Sequence, residues 1–196
     1  MKKLLILLVA IVLISCKDDE EPVNPWNAEH LATLISNGSD WEKEYSDANI
    51  LTETKFMNEF NADKTVKTLY PETEDELVVI FNGNKPEQLY WFKSGSWTTP
   101  YGTVGDPITV LEKANGAGVQ FYGLGYDLPG KVKIDSGKLA GKDITFAVRP
   151  TSDIIPTEYY SYNSFDASNP KSKDLKLYIT RVQMGLPIKM TSQSGE

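Results

Sequence analysis

Aromatic side chains suited to ligand contact are concentrated in one short stretch of this chain. Four rings fall within eight residues, at Tyr159, Tyr160, Tyr162 and Phe165. Tyrosine offers a flat apolar face and a hydroxyl group at a low entropic cost, which suits both sugar rings and protein surfaces. The stretch therefore predicts a partner-binding surface, which the upstream rings of Trp97 and Tyr101 could extend. The alternative is that these rings fasten a long loop onto the core.

Residue types that usually carry catalysis are scarce. The only histidine, His30, lies off the apolar face of its helical pattern, and one histidine cannot form a multi-histidine metal site. Gly123-Leu124-Gly125 opens like a dinucleotide loop, but a turn follows where a phosphate-binding helix is needed. We therefore predict no catalytic residue, no metal site and no cofactor. A carboxylate-based hydrolase remains an alternative, because two of the 27 acidic residues would suffice.

The beginning of the chain has the pattern of a secretory signal. Two lysines precede an apolar run from Leu4 to Ile14, which is too short to cross a bilayer core of about 30 Å as a helix. With the Leu13-Ile14-Ser15-Cys16 sequence that follows, this pattern resembles the lipobox of bacterial lipoproteins. The resemblance implies a signal peptide at 1–15 and a lipid on Cys16, the only cysteine. An ordinary secretory signal or an anchor helix is the alternative.

A charged stretch comes directly after the cysteine. Its composition predicts a flexible tether over residues 16–25, because such a stretch buries too little apolar surface to become ordered. A lysine followed by acidic residues at this place resembles the surface-export tag of Bacteroidetes-type lipoproteins. The resemblance implies an outer-membrane protein anchored through its lipid, at the cell surface in preference to the periplasmic face. The net charge of −7 argues against a nucleic-acid partner.

Residues 26–196 are predicted to form a single α+β domain, with a mostly antiparallel sheet and two or three short helices on one face. One helix should run from Ala28 to Ile35 and end at Asn37-Gly38. A second should begin at Asp106-Pro107, where the Asp106 side chain caps the first amides, and end at Asn115-Gly116. The spacing of Phe56, Met57 and Phe60 predicts a further helix over 54–60.

Alternating apolar residues predict the strands. Asp127 to Gly130 should form a turn, and the 150–173 segment an irregular excursion. Leu77 to Phe81 and Leu89 to Phe92 should form a hairpin at the centre of the sheet, because both faces of these strands look apolar. The other predicted strands are Trp41–Tyr45, Val119–Tyr122, Val132–Ile134, Ile144–Val148 and Leu175–Thr180.

A motif of about thirty residues surrounds the second helix. Gly105-Asp106-Pro107, Leu111, Asn115-Gly116 and the run from Phe121 to Asp127 together resemble a recurring motif of uncharacterised secreted and lipid-anchored proteins. The same helix is similar to one in small outer-membrane assembly lipoproteins. Neither resemblance implies an active site.

Three functions remain open from the sequence. The leading prediction is a non-catalytic lipoprotein of the outer membrane that binds a glycan or another envelope protein. An envelope assembly or structural accessory would instead show a broad apolar patch or an unpaired strand edge. A hydrolase would show two facing carboxylates, one with a raised pKa. The oligomeric state is left open.

Overall fold

The computed structural model of the protein describes residues 23–125 and 129–186. The predicted signal peptide, Cys16, most of the tether and the polar tail from residue 187 lie outside the described residues. The same holds for Asp127 and Leu128 in the predicted turn. Within the described ranges, every helix is too short or too polar to span a membrane.

Two antiparallel sheets and several short helices make up the described chain, which confirms the predicted α+β class. The larger sheet has the strand order β1-β2-β3-β4-β9-β7, and the smaller has the order β6-β5-β8. The strands are β1 Leu51–Met57, β2 Ala62–Leu69, β3 Leu77–Asn82, β4 Lys85–Trp91, β5 Gln120–Tyr122, β6 Val132–Lys133, β7 Ile144–Arg149, β8 Ser164–Asp166 and β9 Tyr178–Gly185. The helices are α1 Ala28–Ser36, α2 Trp41–Glu44, α3 Ile108–Asn115, α4 Pro170–Lys173 and a 3-10 turn at Thr157–Tyr159.

One face of the larger sheet is covered by α1, α2 and α3. Leu31 of α1 and Leu111 of α3 are fully buried in the same apolar cluster as Leu89 and Trp91 of β4. At the start of α1, the Asn27 side chain accepts a hydrogen bond from the Glu29 N–H at 2.9 Å. These contacts explain why the apolar stripe of each helix was readable in the sequence.

Helix α3 ends where its sequence predicts, but it begins differently. Gly116 adopts the left-handed conformation at φ 71°, which glycine tolerates without a Cβ clash. Asp106 does not cap the helix, since its carboxylate accepts a hydrogen bond from the Thr103 N–H at 2.9 Å. Pro107 is the residue that precedes the first helical position. The aspartate therefore orders the loop before the helix.

Two predicted elements are wrong in type. The predicted strand from Trp41 to Tyr45 is helix α2, in which buried Trp41 and Tyr45 are four residues apart on one side. The predicted helix over 54–60 is strand β1 and the turn into β2, which pair antiparallel from Leu51↔Thr68 to Met57↔Ala62. The aromatic spacing matched a helix by coincidence, because strand pairing is a long-range interaction that a local window does not contain.

The predicted central hairpin is present as β3 and β4. On β3 both faces are buried, as the sequence suggests. On β4 only one face is apolar, because Leu89 and Trp91 point into the core while Gln88 and Tyr90 alternate with them on the other face. Among the described residues no helix packs on this second face, which instead holds a small buried cluster of Val66, Val78 and Ile80.

The 150–173 segment is more ordered than predicted. It contains the 3-10 turn, β8 and α4, and β8 pairs with β5. The backbone of this segment passes so close to Gly123 that a Cβ there would lie 2.0 Å from the Ser161 carbonyl oxygen. The last strand begins at Tyr178, three residues later than the alternation predicted.

Candidate functional site

Two of the six predicted partner-binding rings are inaccessible. Tyr159 is 3% exposed and Trp97 is 1% exposed. Tyr159 packs beside Phe121 and Phe165, with ring centroids 6.0 and 4.7 Å away. The Trp97 indole N–H donates to the Asp75 carbonyl at 2.7 Å. A buried ring cannot present its face to a partner, so we remove Tyr159 and Trp97 from the candidate surface.

The other four predicted rings differ in exposure. Tyr160 is 47% exposed and Tyr162 is 70% exposed, so both stay candidates for partner contact. Phe165 and Tyr101 are half-buried and pack against the core. The Tyr101 hydroxyl also accepts a hydrogen bond from the Lys142 ammonium at 2.6 Å. Tyr159 and Phe165 therefore fit the alternative prediction, in which these rings fasten the long loop onto the core.

A larger concave surface lies on the uncovered face of the larger sheet, and we name it the open-face groove. It has a volume of about 730 Å³ and crosses the neighbouring strands β4, β9 and β7. Alternation on these strands supplies most of its side chains. A register shift between β7 and β9 at Ala147 and Val148 lets the adjacent Thr180 and Arg181 both line it. The groove is lined by Glu59, Phe60, Gln88, Phe92, Pro129, Lys131, Thr145, Phe146, Ala147, Arg149, Thr180, Arg181 and Gln183.

A closed ring of hydrogen bonds orders the polar side of this groove. Glu59, in the turn between β1 and β2, accepts from the Gln88 amide at 2.8 Å and from the Arg181 guanidinium at 3.0 Å. Arg181 also donates to the Gln183 side chain at 2.7 Å, and Gln183 donates to Gln88. Each of the four side chains thus contacts two others, which fixes their rotamers before a ligand arrives.

Aromatic rings form the other part of the same face. Tyr90 and Phe92 are stacked, with centroids 6.3 Å apart and planes at 27°. The Arg181 guanidinium lies over the Tyr90 ring at 4.8 Å. Phe92 is 46% exposed and lines the groove, and the Lys93 ammonium lies 6.0 Å from its ring centroid. Burial raises the pKa of the Tyr90 hydroxyl above its usual value, although the charges of Lys55 and Arg181 act in the opposite direction.

None of the groove residues was a candidate from the sequence. The available signal was the alternation of Thr145, Ala147 and Arg149 along one strand and of Arg181 and Gln183 along another. It could not be used without knowing that β7 and β9 are neighbours. Comparison of the chain with models of protein families, with curated proteins and with solved structures found no match. The candidate site therefore depends on its geometry alone.

A second, smaller groove of about 490 Å³ lies between α3 and α4 and contains Glu112. The Oε1 atom of Glu112 is buried and has no hydrogen-bond partner among the described residues. Burial raises the pKa of this carboxyl, while the nearby charge of Lys173 lowers it. No second acidic side chain lines this groove in the described part of the chain. Asp166, whose charge also raises the pKa of Glu112, is not among the described residues that line this groove, so the groove does not present a facing carboxylate pair at Glu112.

The raised pKa of Glu112 has a measurable consequence for stability. A carboxyl with a higher pKa in the folded state favours folding most below its unfolded pKa, and that contribution is lost as the pH rises through the folded value. We therefore expect Glu112→Gln to raise the melting temperature at pH 7 and to lose this advantage below about pH 4. Glu158→Gln, at an exposed position, is the control. A melting temperature of Glu112→Gln below that of the control at pH 7 would contradict this prediction.

Strand β1 forms one outer edge of the larger sheet. Among the described residues it pairs only with β2, and most of its side chains are exposed, including Leu51 and Phe56. Glu53 and Lys55 form an ion pair of 3.1 Å on one face of the strand. Charged side chains on an edge strand are a common protection against pairing with other chains.

Proposed function

We propose that this protein is a non-catalytic lipoprotein of the outer membrane that binds a glycan in the open-face groove. The observation that supports this proposal most strongly is that one groove combines an exposed aromatic ring with a rigid set of planar polar groups. Sugars present hydroxyl groups around their rim and C–H groups on their faces. Amide, carboxylate and guanidinium groups can form hydrogen bonds with the hydroxyl groups, and an aromatic ring can pack against the C–H groups.

The preorganised ring of Glu59, Gln88, Arg181 and Gln183 supports this proposal over a role in folding alone. All four lie on the sheet face opposite the large apolar cluster, beside the small buried cluster of Val66, Val78 and Ile80, and their side chains line the groove or hydrogen-bond across it. A binding site with fixed rotamers loses less conformational entropy when a ligand is bound. In the described lining Glu59 is the only carboxylate, and a classical glycosidase uses two.

The path of the chain also suits a surface binding protein. The described residues begin at Val23, and Trp26 packs on Trp97 with centroids 5.4 Å apart. Both tryptophans belong to the cluster beneath the helices, on the sheet face opposite the groove. The described chain thus begins on the helical side of the larger sheet, opposite the groove.

Phe92→Ala tests the proposal in a glycan-array measurement with the full chain purified in detergent. We expect wild type to bind a glycan, and the variant to bind it about ten- to a hundredfold more weakly, since one aromatic stacking contact contributes about 1–3 kcal/mol. Its melting temperature should stay within about 2 °C of wild type, because Phe92 is 46% exposed and belongs to neither buried apolar cluster.

Phe56→Ala is the matched control, because Phe56 is 57% exposed on β1 and does not line the groove. It should bind glycans as wild type does. The proposal fails if no glycan is bound or if Phe92→Ala binds unchanged. Loss of an envelope-protein partner in pull-down with Phe56→Ala alone would favour the assembly role and place it at the edge of β1.

A further inference from the structure

Both arginines of this chain, Arg149 and Arg181, line the open-face groove. The other 18 basic residues are lysines. Arginine differs from lysine in its planar guanidinium group, which holds several hydrogen-bond donors in a fixed geometry. They reach the groove from β7 and β9, which are neighbours in the sheet. Arginine recognises carboxylate, sulfate and phosphate groups through paired hydrogen bonds.

The two guanidinium groups retain donors for a ligand. Arg149 is exposed and makes no hydrogen bond or ion pair with the residues that the structure describes. Arg181 donates through one terminal nitrogen to Glu59 and Gln183. Its Nε atom is buried and has no partner within the described ranges. A buried donor without a partner is costly, but the exposed guanidinium of Arg149 is the group that a ligand oxygen reaches without rearrangement.

The charge of the groove is opposite to that of the whole chain. Lys131, Arg149 and Arg181 are cationic, and Glu59 is the one acidic side chain in the described lining, although the chain has a net charge of −7. Glu59 already accepts hydrogen bonds from Gln88 and Arg181. An excess of two positive charges therefore faces the ligand from within an acidic protein, which favours an anionic ligand.

We propose that the glycan of the open-face groove is an acidic oligosaccharide whose carboxylate or sulfate group is bound by Arg149 and Arg181. This inference rests on the proposed glycan-binding function. The sugar ring would lie beside Phe92, and its acidic group would lie over β7 and β9. Lys131 adds a third cation at the same groove.

The test compares acidic and neutral oligosaccharides on one array with the full chain in detergent. The probes are uronate tetramers, the methyl esters of the same tetramers, sulfated tetramers and neutral tetramers. We expect binding to the uronate or the sulfated probes, loss of uronate binding on esterification, and weaker binding at 0.5 M than at 0.05 M NaCl. Arg149→Gln should weaken binding about tenfold, as expected for one charge-assisted contact.

Lys113→Gln, an exposed change of equal charge on α3, is the control and should bind as wild type does. The uronate and sulfated probes distinguish the two sources of the negative charge. Equal binding of neutral tetramers that is insensitive to Arg149→Gln would overturn this inference and leave the glycan-binding function intact. Absence of binding to every oligosaccharide, or binding of polyglutamate instead, would overturn both.

Discussion

Asn115→Ala should lower the free energy of unfolding by about 3 kcal/mol or more, which is the largest effect we expect from one polar substitution in this chain. The side chain of Asn115 is fully buried at the end of α3. Its amide group donates to the carbonyl oxygens of Ala117 and Ser136, both at 3.0 Å. Its Oδ1 atom accepts from the Leu139 N–H at 3.0 Å. Alanine would leave the buried Leu139 N–H and two partly buried carbonyl oxygens without these partners.

The measurement is urea denaturation of wild type, Asn115→Ala and Asn115→Asp. The aspartate keeps the acceptor for Leu139 but loses both donors and adds a buried charge, so it should not restore stability. Asn163→Ala, at an exposed position, is the control and should stay within about 0.5 kcal/mol of wild type. Equal midpoints for Asn115→Ala and Asn163→Ala would contradict the role given to the buried amide.

Gly123→Ala should also destabilise the protein strongly, by about 2 kcal/mol or more. A Cβ at this position would lie 2.0 Å from the Ser161 carbonyl oxygen and 2.8 Å from that of Tyr159. Both atoms belong to the backbone, so they cannot rotate away as a side chain could. The hydrogen bond from the Gly123 N–H to the Asn163 carbonyl, 3.0 Å long, would be strained by the same shift.

Gly118→Ala is the matched control for this substitution. Gly118 lies just before β5 and has no heavy atom within 4 Å of an added Cβ. Thermal denaturation should show a melting temperature at least about 4 °C lower for Gly123→Ala than for Gly118→Ala. If the two variants melt together, the 159–163 segment does not depend on the close approach at Gly123.

These two substitutions explain the sequence motif around α3 in physical terms. Asp106 orders the preceding loop, Asn115 satisfies three backbone groups, and Gly116 supplies a left-handed conformation. Gly123 allows the 150–173 segment to approach, and a Cβ on Gly125 would lie 2.6 Å from the Tyr160 ring. Every described position in this group has a packing role, which suits a motif without a reactive group.

Local signals predicted a good part of the fold. Asn37-Gly38 and Asn115-Gly116 predicted the ends of α1 and α3. A glycine ends a helix through its own backbone conformation, so this signal is local in the sequence. Alternation predicted β3, β5 and β7 within one or two residues. The error at β1 has a different origin, since its strand structure depends on pairing with β2. Propensity alone is a weak guide for such residues.

The candidate site was harder to predict than the fold. The tyrosine-rich stretch was visible because its rings lie close together in the sequence. Packing decides which of them are buried, and Tyr159 is buried. The open-face groove joins Glu59, Gln88, Arg149 and Arg181 from four distant parts of the chain. The strand order β4-β9-β7 makes Gln88, Arg181 and Arg149 neighbours, and hydrogen bonds join Glu59 to Gln88 and Arg181. No local window contains that order, so the residue pattern could not indicate the groove.

The most direct test of ligand binding at the open-face groove uses reporters that the chain already contains. Its two arginines line the groove, whereas its four tryptophans belong to the cluster beneath the helices. In an NMR titration of the ¹⁵N-labelled full chain with an array-selected acidic oligosaccharide, we predict that both arginine Nε–H signals shift and all four indole N–H signals stay in place. Shifted indole signals with unmoved arginine signals would contradict the account.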